Sequence, residues 1–184
     1  MIAITFEAHG TTVDNEARLS SGLYDAALSA LGEKQARELG ERYRNERFDA
    51  VFCSNLKRSY KTAELAFAGR FPIIKDRRLR ECDYGTLTRH PSDEVEPLKI
   101  KHISTPFPGG ESYEQANQRI KLFLEDLAKD YEGRRVMIIG HRATQYGLEC
   151  LINGKSLAAL VSTPFKWQPG WVYELKGAGR GISS

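Results

Sequence analysis

Residues 2–10 read IAITFEAHG and decide the fold, because a strand-like run ends there on a lone histidine followed by glycine. The run from Ile2 to Phe6 is nearly continuous in apolar character and rich in β-branched and aromatic residues. Such a run is typical of a strand buried on both faces, as in a sheet covered by helices. His9 follows directly, at the edge where open α/β sheets bind their ligands.

Four more strand-like runs alternate with helical periodicity. These runs are DAVFCS (49–54), FPIIK (71–75), RVMIIG (135–140) and WVYEL (171–175). Helices are predicted after an N-cap at Ser29, over 56–67, over 113–131 behind a Ser112–Gln115 capping box, and over 144–152. Strands alternating with helices predict an α/β fold with a mainly parallel sheet. The length of 184 residues predicts one domain over 1–184.

The segment 86–111 is the irregular part of the chain. It carries four prolines and the pair Gly109-Gly110. A segment of this composition is typical of a loop or lid beside a site.

The composition excludes several classes of protein. It is 41% hydrophobic and 28% charged, with a net charge of +3 that gives no reason to expect nucleic acid or a membrane surface as a partner. No apolar stretch is long enough for a membrane span, and we expect no signal peptide. The three cysteines lack metal-ligand spacing, so we expect reduced thiols, no metal and a cytoplasmic location. No sequence pattern indicates the oligomeric state.

Four polar residues follow four different strand-like runs: His9, Arg58, Glu81 and His141. A parallel sheet brings such positions together at one edge. Histidine can act as a nucleophile, an arginine and a second histidine can neutralise a phosphoryl group, and a glutamate can protonate a leaving group. Zinc spacing, a GxSxG elbow, GxGxxG and a P-loop are all absent from the sequence. The set indicates phosphoryl transfer without a metal or cofactor, although each residue alone could be structural.

Six motifs lie in order over most of the chain. They are AHGTTVDN (8–15), SGLYDAALSALGEKQARELG (21–40), VFCSNLKRSYKTAE (51–64), LRECDYGTLT (79–88), PFPGGESYEQANQRI (106–120) and VMIIGHRAT (136–144). In these motifs and their order, the chain resembles the histidine phosphatase superfamily, the phosphoglycerate mutase-like enzymes.

The resemblance implies a three-layer α/β/α sandwich and a phosphohistidine intermediate. His9 is then the nucleophile, His141 and Arg58 hold the phosphoryl oxygens, and Glu81 protonates the leaving oxygen and later activates water. A small phosphorylated molecule is the implied substrate. The loop around Gly110-Glu111 is expected to border it. The other expected phosphate- or substrate-binding residues are Gly10, Thr12, Asn15, Ser21, Gly22 and Arg142. For Gly10, we expect a sharp backbone turn around the anion.

Three positions depart from the family pattern, and one of them is Thr11, where the family often has glutamate or serine. Ala8 stands where the family has an arginine, and Arg142 stands where it often has glycine. One hypothesis is that Arg142 restores the missing cation; the alternative is that it points to solvent. The short segment after Glu81 favours a phosphatase over a mutase, while Ala8 alone supports a non-catalytic phosphate-binding protein. Trp167 either packs on the core or surface, which we favour, or forms a wall of the pocket.

Overall fold

A computed structural model describes residues 1–177, which contain a five-stranded sheet. Its strands are β1 (Ile2–Ala8), β2 (Ala50–Cys53), β3 (Ile73–Lys75), β4 (Arg135–Gly140) and β5 (Trp171–Leu175). They lie in the order β3-β2-β4-β1-β5, and only β5 runs antiparallel to its neighbour within this sheet. The prediction of a mainly parallel sheet is confirmed. Residues 178–184, the end of the predicted single domain, lie outside the described residues.

The helices cover both faces of the sheet. They are α1 (Val13–Glu16), α2 (Ala30–Arg42), α3 (Lys57–Phe67), α4 (Ser92–Val95), α5 (Tyr113–Asp130), α6 (Arg142–Leu151) and α7 (Leu157–Ser162). Ser29 caps α2 and the Ser112–Gln115 capping box begins α5, both as predicted. The helix α6 begins two residues earlier than predicted, since the His141 N–H bonds the Thr144 hydroxyl.

The core consists of two apolar layers, one on each side of the sheet. In β4, Val136 and Ile138 pack in the layer that contains α5, while Met137 and Ile139 pack in the layer that contains α2 and α3. All four side chains are fully buried. Burying an aliphatic side chain of this size contributes about 1.5–3 kcal/mol. The continuous apolar runs therefore reflect burial on both faces, and the three-layer α/β/α sandwich is confirmed.

The segment 86–111 is more ordered than its sequence predicts. It contains α4 and a 3₁₀ helix over Glu96–His102. Two more short 3₁₀ helices lie before α4, at Arg77–Leu79 and Gly85–Leu87. Val95 and Phe107 anchor the segment in a third apolar cluster that also contains Tyr113 and Tyr146. Within residues 1–177, the helices are all too short or too polar to cross a membrane.

Candidate active site

The four predicted catalytic residues meet at one cavity at the carboxyl ends of the parallel strands. His9 follows β1, Arg58 lies in the first turn of α3 after β2, and His141 caps α6 after β4. Glu81 follows the 3₁₀ turn beyond β3. All four line a cavity of about 300 Å³, and the rings of His9 and His141 are 5.1 Å apart between centroids.

The imidazole of His9 has a defined tautomer. Its Nδ1 lies 2.7 Å from the carbonyl oxygen of Gly10, and a carbonyl can only accept, so Nδ1 carries the proton. Nε2 then holds the lone pair that a nucleophile needs. Burial, together with the positive charge of Arg58, lowers the pKa of His9 from 6.5 to about 3. The ring is therefore neutral at physiological pH.

His141 is buried and held from one side. Its Nε2 lies 2.7 Å from the hydroxyl oxygen of Ser54, whereas Nδ1 has no hydrogen-bond partner within the described residues. Burial and then Arg58 lower the pKa of His141 well below its ordinary value. A buried polar atom without a protein partner is suited to a hydrogen bond with a ligand atom or a water molecule.

Arg58 brings a buried positive charge to the cavity. Its side chain donates to two carbonyl oxygens, Tyr24 O at 2.8 Å and Gly22 O at 2.6 Å. Arg58 is 2% exposed and forms no ion pair with any carboxylate of residues 1–177. Burial lowers its pKa from the ordinary value. A buried guanidinium held only by carbonyls is suited to an anionic ligand.

Glu81 is fixed by backbone N–H groups. Its Oε1 accepts from Cys82 N at 2.8 Å and Ala143 N at 3.1 Å, and its Oε2 accepts from Arg142 N at 3.2 Å. The carboxyl group thus joins the loop after β3 to the first turn of α6. This contact places it beside His141, at the same cavity.

The predicted binding residues divide into two groups. Asn15, Ser21, Gly22 and Arg142 line the cavity, as does the unpredicted Ser20. Gly22 has φ of +52°, a conformation that favours glycine.

Gly10 and Thr12 do not line the main cavity, although Gly10 lines the neighbouring one beside Ala8. The Gly10 N–H donates to Thr62 Oγ1 at 3.0 Å, and the Thr12 hydroxyl accepts from Asn15 N. The structure gives a reason for glycine at position 10 that differs from the predicted turn: its φ is not left-handed, and a Cβ there would lie 2.5 Å from Gly32 O. Both residues therefore support the loop that follows His9.

Glu111 does not line the cavity. Its carboxylate bonds Arg119 and accepts from Asp83 N at 3.1 Å. It holds the loop of Glu81 instead of bordering the substrate space.

The sequence analysis missed Glu96 and Lys99, which also line the cavity. Lys99 Nζ lies 2.6 Å from Glu96 Oε1, and Arg142 Nη1 lies 2.8 Å from the same oxygen. Lys99 is 2% exposed. The only signal in the sequence was the i, i+3 spacing of a glutamate and a lysine in EPLK (96–99), within a segment that lacked periodicity.

The position of the expected arginine is open space. Ala8 is half-buried and borders both the main cavity and a second one of about 440 Å³. Arg42 and Gln35 line that second cavity, and Trp167, which is 59% exposed, lines both. The preference for packing at Trp167 was therefore wrong, because this side chain forms a wall of the site.

No group of three or more histidine, cysteine, aspartate or glutamate residues within 1–177 is arranged to hold a metal ion. The site thus consists of two neutral imidazoles, a buried guanidinium and a carboxyl group around a polar cavity. This arrangement, at the carboxyl edge of an α/β sheet, is suited to an anionic ligand held next to a neutral imidazole.

The chain belongs to the histidine phosphatase superfamily, whose branch 1 model matches residues 4–183. It is 30% identical over 172 residues to phosphoserine phosphatase 1 of Hydrogenobacter thermophilus, covering 86% of this chain and 79% of that protein. It is 34% identical over 162 residues to the probable phosphoglycerate mutase GpmB of an Enterobacter species, covering 83% and 74%. The relatives support phosphatase or mutase activity of this family.

Solved structures agree on the fold. Bacillus stearothermophilus YhfR superposes with a TM-score of 0.81 at 24% identity, covering 97% of each chain. A mycobacterial glucosyl-3-phosphoglycerate phosphatase bound to VO3 superposes with a TM-score of 0.75 at 23% identity, covering 88% of this chain and 85% of that one.

Proposed function

We propose that this protein is a metal-independent phosphatase that hydrolyses a small phosphomonoester through a phosphohistidine on His9. The observation that carries the proposal is the geometry of His9. The Nδ1–H of His9 donates a hydrogen bond to the Gly10 carbonyl oxygen, so Nε2 keeps a free lone pair. The same cavity contains the buried cation of Arg58.

The reaction has two steps. In the first, His9 Nε2 forms a bond to phosphorus while the bond to the ester oxygen breaks, and that oxygen takes the proton of the Glu81 carboxyl group. In the second, water attacks phosphorus, Glu81 accepts a proton from the water, and the phosphorus–nitrogen bond breaks. Inorganic phosphate leaves and His9 returns to its neutral form.

Arg58 and His141 are the proposed ligands of the phosphoryl oxygens. The Ser54 hydroxyl can donate to His141 Nε2, which leaves Nδ1 protonated and free to donate to an oxygen. Asn15 and the backbone of Ser21 and Gly22 border the same space. Thr12 orders Asn15 through their reciprocal capping contacts.

Hydrolysis is preferred to mutase activity because only residues 86–105 separate Gly85 from the motif that begins at Pro106, which leaves the segment after Glu81 short. The names of the relatives include both activities. A non-catalytic role rests on Ala8 alone, whereas the other four reacting positions are filled.

The test compares wild type with His9→Ala on p-nitrophenyl phosphate and a panel of phosphomonoesters, in the presence of EDTA. We expect phosphate release by wild type only, and a mass increase of one phosphoryl group on wild type after rapid acid-free quenching. His90→Ala is the matched control, because that histidine is exposed and does not line the cavity. Phosphate release by His9→Ala at the wild-type rate contradicts the proposal. Transfer of the phosphoryl group to added phosphoglycerate in place of water identifies a mutase.

A further inference from the structure

A guanidinium outside the main cavity holds the main chain that carries Glu81. Arg119 lies in α5 and does not line that cavity. Its Nη1 donates to Arg78 O at 2.6 Å and to Arg80 O at 2.8 Å, and its Nη2 donates to Glu81 O at 2.8 Å. One side chain of α5 therefore binds three carbonyl oxygens in the stretch 78–81.

Glu111 completes the support of this stretch. Its Oε2 accepts from Arg119 Nε at 3.2 Å and its Oε1 accepts from Arg119 Nη2 at 2.5 Å, so the ion pair is bidentate. The same Oε1 accepts from Asp83 N at 3.1 Å, and Glu111 N donates to Asp83 O at 3.0 Å. A planar, bidentate pair fixes orientation as well as distance, so it is suited to hold a loop in one position.

The stretch depends on these contacts because it lacks regular secondary structure. Residues 80–84 belong to no helix or strand, so their main-chain groups need partners from other segments. The carboxyl group of Glu81 is held by α6, through the N–H groups of Arg142 and Ala143. Its carbonyl oxygen is held by α5, through Arg119. The side chain and the main chain of Glu81 are thus each fixed by a different helix.

The position of Glu81 matters for the first step of the proposed reaction. A proton donor must come within about 2.6–3.2 Å of the leaving oxygen, and a displacement of about 1 Å can lower the rate by about 100-fold. Without Arg119, the N–H groups of α6 remain, but the main chain of Glu81 loses its contact with α5. The carboxyl group then spends less time in line with the leaving oxygen.

We infer that Arg119, with its partner Glu111, is a positioning residue for Glu81 and acts on the transfer of the proton to the leaving oxygen. The inference rests on the proposed function, in which Glu81 is the proton donor. Since Arg119 lies outside the main cavity, it acts through Glu81 and not on the substrate. Its removal should therefore affect each ester according to how much the leaving oxygen needs a proton.

The test compares phenyl phosphate with p-nitrophenyl phosphate. The nitro group stabilises the departing anion, so p-nitrophenolate needs little help from a proton donor, whereas phenolate needs more. The quantity measured is kcat/KM, which in a reaction with a covalent intermediate covers the steps up to release of the leaving group and excludes the later attack of water.

We expect Arg119→Gln to lower kcat/KM for phenyl phosphate by about tenfold to 100-fold, and that for p-nitrophenyl phosphate by less than about threefold. Glu81→Gln should give the same pattern with a larger loss, because it removes the donor itself. Arg119→Lys keeps the charge but lacks the planar fork, so it should restore part of the rate on phenyl phosphate. Glu111→Gln weakens the pair and should give a smaller loss of the same kind, which keeps the test decisive if Arg119→Gln does not fold.

Arg78→Gln is the matched control. The guanidinium of Arg78 also joins this stretch to α5, and Arg78 does not line the main cavity. We expect this variant to keep the wild-type ratio of the two kcat/KM values, because its side chain does not hold the main chain of Glu81. Within residues 1–177, the hydrogen bonds of that side chain go to Asp76, Leu122 O and Asp126.

An equal loss on both esters with Arg119→Gln, or no loss on either, overturns the inference and leaves Arg119 a residue of the fold alone. A ratio that falls as far in Arg78→Gln overturns it as well, because any loosening of the stretch would then be sufficient. A selective loss on phenyl phosphate in Glu81→Gln but not in Arg119→Gln removes the positioning role and keeps the proposed function. Equal losses in Glu81→Gln remove Glu81 as the donor, and absence of any His9-dependent turnover removes the proposed function; the inference falls with either.

Discussion

Acidification should leave His9, the proposed nucleophile, neutral far below the pH at which an ordinary histidine becomes protonated. Burial and Arg58 lower the pKa of His9 to about 3. A lowered pKa favours the neutral form, so at pH 5 about 99% of His9 is neutral, compared with roughly 3% for a histidine at 6.5. The difference in available nucleophile at pH 5 is therefore about 30-fold.

The direct assay is a titration of the imidazole nitrogens by long-range ¹H–¹⁵N NMR, with His9→Gln to assign the signals. We expect no change in the His9 resonances between pH 8 and pH 5, and Nδ1 as the protonated nitrogen throughout. Arg58→Met should raise the pKa of His9, because it removes the neighbouring positive charge.

Kinetics provide the second readout. kcat/KM, corrected for the ionisation of the substrate phosphate near pH 6, should show no loss from the enzyme's nucleophile above pH 5. A His9 titration between pH 6 and pH 7, with kcat/KM falling in parallel, would refute the account of burial and charge given for this site.

Three further predictions concern the stability of the fold and the charge of the cavity. The free energy of unfolding should be greatest above pH 6.5 and fall as the pH drops toward about 3, because the unfolded state binds protons at His9 and His141 first. The fall should be at most about 1.4 kcal/mol per pH unit for each of the two histidines. Urea unfolding between pH 6.5 and pH 5 measures this slope, and an unchanged slope in His9→Asn contradicts the prediction. Gly32→Ala should lower the free energy of unfolding by about 1–3 kcal/mol, because the new Cβ would lie 1.9 Å from Thr11 O, and wild-type stability in urea would argue against this contact. Ala8→Arg should raise kcat/KM for p-nitrophenyl phosphate by about 100-fold by supplying a cation in open space, and an unchanged rate would show that another group already fills that role.

Much of the fold was predictable because it depends on local patterns. The apolar runs of β1 and β4 specify strands buried on both faces, and the Ser112–Gln115 capping box specifies the start of α5. The convergence of His9, Arg58, Glu81 and His141 followed from the geometry of a parallel sheet, so their common cavity could be expected from the order of the strands.

The rest of the site depends on contacts between distant segments. Glu96 and Lys99 lie in a short 3₁₀ helix, whose position is set by the burial of Val95 and Phe107 and not by a periodic pattern. The requirement for glycine at position 10 comes from Gly32, which is distant in sequence and carries no motif that relates the two. Trp167 lines the cavity through the path of the chain before β5, which its local sequence does not specify.

The hydrogen bonds of Glu81 have a consequence for the substitutions that the site can tolerate. Glu81, the proposed proton donor, is held by the main chain of Arg142 and Ala143, and a main-chain contact survives any side-chain replacement that keeps the helical turn. The side chain of Arg142 takes no part in this contact and donates instead to Glu96. A substitution at position 142 can therefore remove the guanidinium from the cavity while the carboxyl group of Glu81 stays in place.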